Sequence, residues 1–505
     1  MQSLLKSSAL STLAGVLSLV AGFACGVIVA RLLGPEGNGG VAFALWLAMT
    51  AGTLSDLGLP TLLLRYMPRF DGQGGPGGGL ARLVLPRFIL AQVVTIFGIY
   101  IYITWLKANP QYTVHPLLLV IVSVVLYAVY IWASLGEHAA RGLNRFGETA
   151  RMTFYGCLLQ IPLVFIGAYF WGVPGAILGY VSRYLPQAIN SIKYAKAKPL
   201  ETTTLTPDMR SFARNNWVAD CIGLLIWTRV EFIFLGLYFS TSDIGHYAAG
   251  LTLSSLVVQL PTQMMGALIP HIGKHHDAEE HEQIQIIYAT SIRWVFLLIL
   301  PICIGGAAVA GELIPALFGE EFRAAGPLAA VLIGTAFATA LSTVPSVTVD
   351  ARERSDFLIK VTPVLALFSV GAFWLGSLRG DVMDIAIIRG LVHSVWVLTL
   401  LWFCWKHLKL NLNVRDVVKI TISAALCGGT AFGVLQLTGG VAGLLLAIAI
   451  GALVYLIAVK FLRVIPSADV DTILDNLPEK TPRRLALVIG SSLTFLAGNG
   501  PTHSP

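Results

Sequence analysis

Charged side chains are scarce in this chain, and the few that interrupt long apolar runs are where its chemistry could reside. Within the stretch 215–239, Asn216, Asp220, Trp227 and Glu231 recur at helical spacing and would form one stripe, with Arg229 pointing nearly the opposite way. A polar stripe on a membrane helix lines a hydrated path or hydrogen-bonds to a neighbouring helix; Arg229 alternatively reaches to the membrane surface. Arg183 and Arg389 stand 206 positions apart, close to equivalent places in an internal repeat. A fixed guanidinium offers several donors in a geometry that matches phosphate oxygens. The competing reading pairs each arginine with a carboxylate such as Asp384 or Glu231. Asp56 lies beside Gly58 and Pro60, where a helix should break or kink. An embedded carboxylate there would bind a coupling H+ or Na+, or would simply cap the next helical segment. Asp220 and Glu231 are the other candidates for that ion.

Other reactive residue types point to little chemistry. The six cysteines all fall inside apolar runs without a CxxC pair and read as small hydrophobes. His271, His275, His276 and His281 crowd one charged loop, HIGKHHDAEEHEQ; it lacks HExxH and reads as a solvated turn, not a Zn2+ site. Gln160 with Pro162, and Gln259 with Pro261 and Gln263, mark kinked polar helix positions that glue helices together. The Gly-rich DGQGGPGGG from Asp71 to Gly79 lacks the GK[ST] ending of a phosphate-binding loop, so ATP hydrolysis is not expected. No cofactor and no catalytic residue are expected.

The elements that must position these residues follow from composition. Of 505 residues, 56% are hydrophobic and 12% charged, and the mean hydropathy is +0.75. A water-soluble domain carries about 25% charged residues, so lipid must be the solvent. Runs of 20 or more apolar residues recur throughout and exclude the alternating pattern of a membrane barrel. The expectation is an all-α polytopic membrane protein with about 14 transmembrane helices. Its runs extend from 9–30 and 40–64, through 151–171, 173–192, 215–239 and 246–270, to 418–438 and 440–461.

The net charge of +7 raises the question of nucleic acid, but the basic residues sit in short loops. Nearly all of them lie on the side of the N-terminus, with only Arg31, Lys107, Arg323 and Arg379 opposite. Positive charge marks the cytoplasmic side, so both termini and the loops at Gly75, Lys198 and His276 are expected inside, and Asn38 and Glu320 outside. The first run is too long for a cleaved signal peptide. No nucleic-acid partner is expected.

A shift of 206 to 209 positions lays GPEGNGGVA (Gly34 to Ala42) over STSDIGHYA (Ser240 to Ala248), with Gly39 on Gly245. The copies are six spans apart and share topology, so the chain reads as two pseudo-symmetric six-helix lobes around a central cavity plus two C-terminal helices. The domains are 1–198, an N-terminal six-helix lobe; 199–410, a C-terminal six-helix lobe; 411–463, two additional helices; and 464–505, a cytoplasmic tail.

Four segments carry a resemblance: ARLLGPEGNGGVAFAL, SDLGLPTLLLRYMPRF, RVEFIFLGLYFSTSDIGHYAAG and ALFGEEFRAAGPLAAVL. Together with the repeat, which extends it over about residues 1 to 410, the chain resembles the polysaccharide flippases of the multidrug/oligosaccharidyl-lipid/polysaccharide (MOP) exporter superfamily. Glu231 stands where that family more often has Asp. The resemblance implies a non-enzymatic transporter of the bacterial cytoplasmic membrane. It would move an undecaprenyl-diphosphate-linked oligosaccharide from the inner to the outer leaflet by ion-coupled alternating access. Membrane lipids would surround it, and glycan polymerase and export machinery would be its partners. Alternatives are a lipid II flippase, a cation-coupled multidrug exporter of the same superfamily and, from another class, a membrane glycan polymerase or ligase. The last needs a sizeable outer loop, which is missing here. In the flippase reading Arg183, Arg229, Arg389, Asn216 and Trp227 contact the substrate, while Asp56, Glu231 and Asp220 handle the ion.

Overall fold

The computed structural model describes residues 2–71, 76–106, 116–199, 204–227, 229–265 and 268–466, and among them every regular element is helical. Hydrocarbon offers no partner to a backbone N–H or C=O, so each crossing segment must satisfy its own, and the apolar runs accordingly coil into helices. The helices are α1 (Gln2–Ser55), α2 (Leu59–Tyr66), α3 (Leu80–Leu106), α4 (Pro116–Gly142), α5 (Phe146–Lys196), α6 (Pro207–Trp227), α7 (Glu231–Tyr238) and α8 (Thr241–Met265). They continue with α9 (Leu268–Asp277), α10 (His281–Phe318), α11 (Gly326–Ala351), α12 (Ser355–Ser377), α13 (Val382–His407), α14 (Val414–Thr438) and α15 (Gly440–Phe461).

Ten helical runs among the described residues are long and apolar enough to cross a bilayer. Two of them are far longer than one crossing needs, at 42 and 51 residues. At a rise of 1.5 Å per residue, about 20 residues span the hydrocarbon core, so these runs must turn. They turn at glycine: α1 at Gly34 (φ 64) and α5 at Gly172 (φ 60), in the left-handed region that a side chain resists. In α5 the two arms run back against each other, since a Cβ at Gly167 would fall 2.1 Å from the Gly175 carbonyl oxygen and one at Gly156 2.1 Å from that of Arg183. Tyr169, Phe170 and Trp171 stand exposed beside the turn, where aromatic rings suit the membrane–water interface. At the other end Glu148 ties the arms, accepting from Lys193, Asn190 and Tyr194.

The span read at 215–239 is not one helix. Helix α6 stops at Trp227, Arg229 takes a left-handed backbone (φ 59), and the helix restarts at Glu231. The polar stripe is therefore cut short: Asn216, Asp220 and Trp227 share α6, whereas Glu231 opens α7 beyond the break. Neither α6 nor α8 is among the ten strongly apolar runs. The break beside Asp56 is where the sequence placed it, between α1 and α2. Helix α8 is described as far as Met265 and α9 from Leu268, with 266–267 outside the described residues.

The repeat shows in the packing. A Cβ on Gly39 would lie 1.9 Å from the carbonyl oxygen of Thr241, and one on Gly245 would lie 1.8 Å from that of Pro35. Thr241 and Gly245 are the counterparts of Pro35 and Gly39 under the same shift of 206, so the contact is reciprocal, as in a two-fold interface. Asn38 Nδ2 adds a hydrogen bond to Gly245 O at 3.0 Å. The two helices open differently at the equivalent place: the first with Gly34 and Pro35, the second with a capping box. In that box Ser240 N donates to Asp243 Oδ2 and Asp243 N donates to Ser240 Oγ, both at 3.2 Å.

By packing the chain forms two compact units. Unit one comprises 1–252, 317–322 and 359–388; unit two comprises 253–316, 323–358 and 389–505. In unit one the segment 317–322 is held by Arg31 Nε donating to Leu317 O at 2.7 Å and by His246 standing edge-on to Phe322. In unit two, helices α10, α11, α13, α14 and α15 close on a core that includes Cys303, Val344, Cys404, Ile420 and Val459. The last helix pair is fastened there by Arg293 Nη1 on Asp416 Oδ2 at 2.9 Å and by Tyr455 OH on Leu297 O at 2.6 Å. Of the tail expected at 464–505, residues from 467 onward lie outside the described residues, as do 72–75 of the Gly-rich stretch and 200–203 before α6.

The glycine crossing yields a test. Gly245→Ala should lower stability by about 1–3 kcal/mol, because backbone faces backbone and neither can give way. Gly98→Ala, in α3 with nothing within 4 Å, should be neutral or slightly stabilising. Thermal unfolding of both variants in detergent checks the difference; equal midpoints would contradict the close crossing.

Candidate functional site

The candidate site in unit one begins where α1 ends. After Ser55 the chain makes a tight turn in which Asp56 Oδ1 accepts from Gly58 N at 2.8 Å and Asp56 O accepts from Leu59 N at 2.9 Å. Leu57 is forced into a left-handed conformation (φ 52). Helix α6 backs the turn closely, since a Cβ at Gly58 would meet the Ala213 carbonyl oxygen at 2.1 Å. Trp217 Nε1 donates at 3.1 Å to Leu54 O, a carbonyl that the interrupted helix has released, and Tyr127 OH donates to Ser55 Oγ at 2.8 Å. Asp56 thus braces the turn that leads into α2, whose N-cap is Gly58, and is half-buried; it interacts electrostatically with the exposed Asp220, which in turn interacts with His138. Two of the three proposed ion carboxylates are brought into one neighbourhood.

Glu231 is elsewhere. It is buried in the first turn of α7, where Tyr247 OH donates to its Oε1 at 3.2 Å. The rings of Trp46, Phe232 and Tyr247 pack in series beside it. Arg229 precedes it on the break and is half-buried. Asn216 is engaged within its own helix, donating to Phe212 O at 2.8 Å. The Trp227 side chain lies outside the described residues.

Arg183 occupies the second arm of α5 and is half-buried. Its guanidinium carbon stands 5.5 Å from the Tyr184 ring centroid, and Tyr130 meets Tyr184 edge-on at 5.2 Å. Gly22 leaves the space beside it open, with Nη1 3.6 Å from where a Cβ would be. Among the described residues no carboxylate pairs with Arg183, so the ion pair with Glu231 or Asp384 that the sequence allowed is not formed there. Asp384 instead faces Arg379, at 4.0 Å. Nearby in α5, both amide atoms of the fully buried Gln160 lack a hydrogen-bond partner among the described residues, and so do those of Gln187. Arg389 belongs to unit two, one helical turn from His393, with which it interacts electrostatically.

Unit two also holds an apolar crevice of about 410 Å³ among α10, α14 and α15, with Gly305, Gly306, Cys427, Ala431 and Gly451 in its walls. Small residues leave that space, and its lining suits hydrocarbon. No group of three or more His, Cys, Asp or Glu among the described residues could hold a metal ion; His275 pairs with Glu280. Sequence reasoning missed the aromatic frame of Tyr127, Tyr130, Tyr184 and Trp217. Trp217 could have been found, since it follows Arg210 and Arg214 on one helical face; the tyrosines come together only in the fold.

Comparison with known proteins places this geometry. A family model described as polysaccharide biosynthesis protein matches residues 4–276. The "Probable flippase AglR" of Haloferax volcanii is 25% identical over 179 residues, covering 35% of this chain and 36% of that protein. The "Probable low-salt glycan biosynthesis flippase Agl15" of the same organism is 19% identical over 240 residues, covering 47% and 51%. The chain therefore spans about a third to a half of the length of these curated relatives. Among solved structures, the lipid II flippase MurJ in an inward closed conformation superposes with a TM-score of 0.72 at 13% identity, over 90% of this chain and 98% of that one. An inward-facing multidrug resistance MATE family transporter of the MOP superfamily gives 0.60 at 14% identity, over 84% and 96%. At such identities the likeness is one of fold. With more than half of its residues matched by the family model, the chain belongs to the polysaccharide biosynthesis protein family and has the fold of MOP-superfamily transporters.

Proposed function

We propose that this protein is a flippase that carries an undecaprenyl-diphosphate-linked oligosaccharide from the cytoplasmic to the outer leaflet of the bacterial cytoplasmic membrane. The observation that carries the reading is Arg183: a half-buried guanidinium on a membrane helix, framed by tyrosines, with no carboxylate partner among the described residues. A buried cation without an internal counterion is costly, and a diphosphate supplies the counterion and accepts bidentate hydrogen bonds. Arg229 and Arg389 are further cationic contacts in this reading. A cationic drug is a poor match for an unneutralised arginine, which sets the multidrug alternative lower.

Ion coupling is assigned to Asp56 with Asp220. Two carboxylates in electrostatic contact favour sharing a cation over bearing two full charges, and one of them sits on a helix break whose geometry can change. Glu231, held by Tyr247, supports the aromatic packing around α7.

Two experiments test the reading. In proteoliposomes with a fluorescent lipid-linked oligosaccharide, Arg183→Gln should reduce flipping about 10- to 100-fold, the worth of one charge-assisted contact of about 1.5–3 kcal/mol. Arg183→Lys should recover only part, since it keeps the charge and loses the fork. Full flipping by Arg183→Gln at normal abundance would place the diphosphate elsewhere. For coupling, Asp56→Asn retains an oxygen that can accept from Gly58 N, so the turn should survive. Flipping by that variant should lose its response to an imposed ion gradient, whereas a gradient response equal to that of the parent protein would remove Asp56 from the coupling site.

A further inference from the structure

Five arginines gather at the end of unit one that the charge bias assigns to the cytoplasm, and they fall into two groups. Arg65 and Arg69 stack on aromatic rings, with guanidinium carbons 4.6 Å from the Phe212 centroid and 4.7 Å from the Tyr66 centroid. Arg87, Arg210 and Arg214 are different: exposed, and with no carboxylate, ring or hydrogen-bond partner among the described residues. Arg210, Arg214 and Trp217 lie on one face of α6 at i, i+4 and i+7, while Arg87 comes from the first half of α3. They meet around a single crevice of about 230 Å³ whose floor is apolar, with Leu57 and Leu62 among its lining residues.

Positive charge at a cytoplasmic membrane surface needs only a bias in loop composition. It does not require arginines distant in sequence to converge on one bounded space, nor that they remain unpaired while neighbouring arginines find rings. The combination of three guanidiniums at the rim and leucines beneath suits an amphiphile with a multiply charged head and a hydrocarbon stem. A diphosphate diester is doubly charged where the phosphodiester of an ordinary phospholipid is singly charged, and several forked donors favour the former.

We infer that this crevice, between α2, α3 and α6, is a loading site that captures the diphosphate headgroup of a polyprenyl lipid in the cytoplasmic leaflet before translocation. The inference rests on the flippase reading for its biological sense, and on the crevice alone for its chemistry. It is separate from Arg183, which lies on α5 and does not line it. Its wall includes Leu57 and Leu59, the residues on either side of Gly58, so an occupant would touch the same helix break that bears Asp56.

The test uses the full chain in nanodiscs of zwitterionic lipid, in the Arg183→Gln background so that the other phosphate contact is removed. Undecaprenyl diphosphate is titrated by native mass spectrometry. The expected result is that changing Arg87, Arg210 and Arg214 together to Gln weakens binding at least tenfold, that the triple Lys variant is intermediate, and that equimolar phosphatidylglycerol competes poorly. All three side chains are exposed, so the variants should remain monodisperse, which size-exclusion chromatography checks. Undiminished binding by a monodisperse triple Gln variant would overturn the site. Displacement by phosphatidylglycerol at equal mole fraction would overturn the diphosphate assignment and leave a general anionic-lipid surface. Arginine-dependent binding, when the parent protein with Arg183 intact flips nothing, would refute the flippase reading alone, whereas normal flipping by the parent protein with arginine-independent binding would refute this site alone.

Discussion

In hydrocarbon a helix can stop only where other groups take up the polar atoms it releases, and that constraint organises this molecule. Two of the helix ends described above are backfilled in this way. At the end of α1 the indole of Trp217 takes the Leu54 carbonyl and Asp56 takes the Gly58 amide. At the start of α8, Ser240 and Asp243 exchange hydrogen bonds. The residues that repair a break are polar, so breaks and functional candidates coincide for a physical reason: both need polar atoms at depth, and depth makes polar atoms rare.

Much of this was legible in the sequence because glycine and proline announce it. Gly58 and Pro60 marked the break beside Asp56, and the shared glycine at 39 and 245 marked the repeat. The break at Arg229 gave no such sign. Between Gly223 and Gly236 the chain has neither glycine nor proline, and its apolar and polar residues keep helical spacing, so a continuous span was the natural reading. What ends the helix is tertiary: Glu231 is buried against Tyr247, and Arg229 takes up the left-handed turn that this placement requires. The same limit applied to the site. That Arg183 lies in a membrane span was readable; that it has tyrosines for neighbours, and no carboxylate among the described residues, was not, because Tyr130 belongs to α4.

The two units illustrate two ways of using small residues. In α5 and at the 39/245 crossing, glycines let backbones touch, which fixes helices in place. Around Gly305, Gly306 and Gly451 the space that small residues create is left open, and a crevice results. Small residues at a helix face are therefore ambiguous in sequence, since closure or vacancy depends on what stands opposite.

The reciprocal contact between Pro35 and Gly245, and between Thr241 and Gly39, carries an implication about origin. An interface in which each half meets the counterpart of itself is the kind that two identical chains form around a two-fold axis. A chain bearing one copy of this glycine turn would be self-complementary at this surface and could pair there with a second copy of itself. The two copies are not identical in this chain: one starts its helix with glycine and proline, the other with serine and aspartate. The crossing stayed because a change on either side would have found no room on the other.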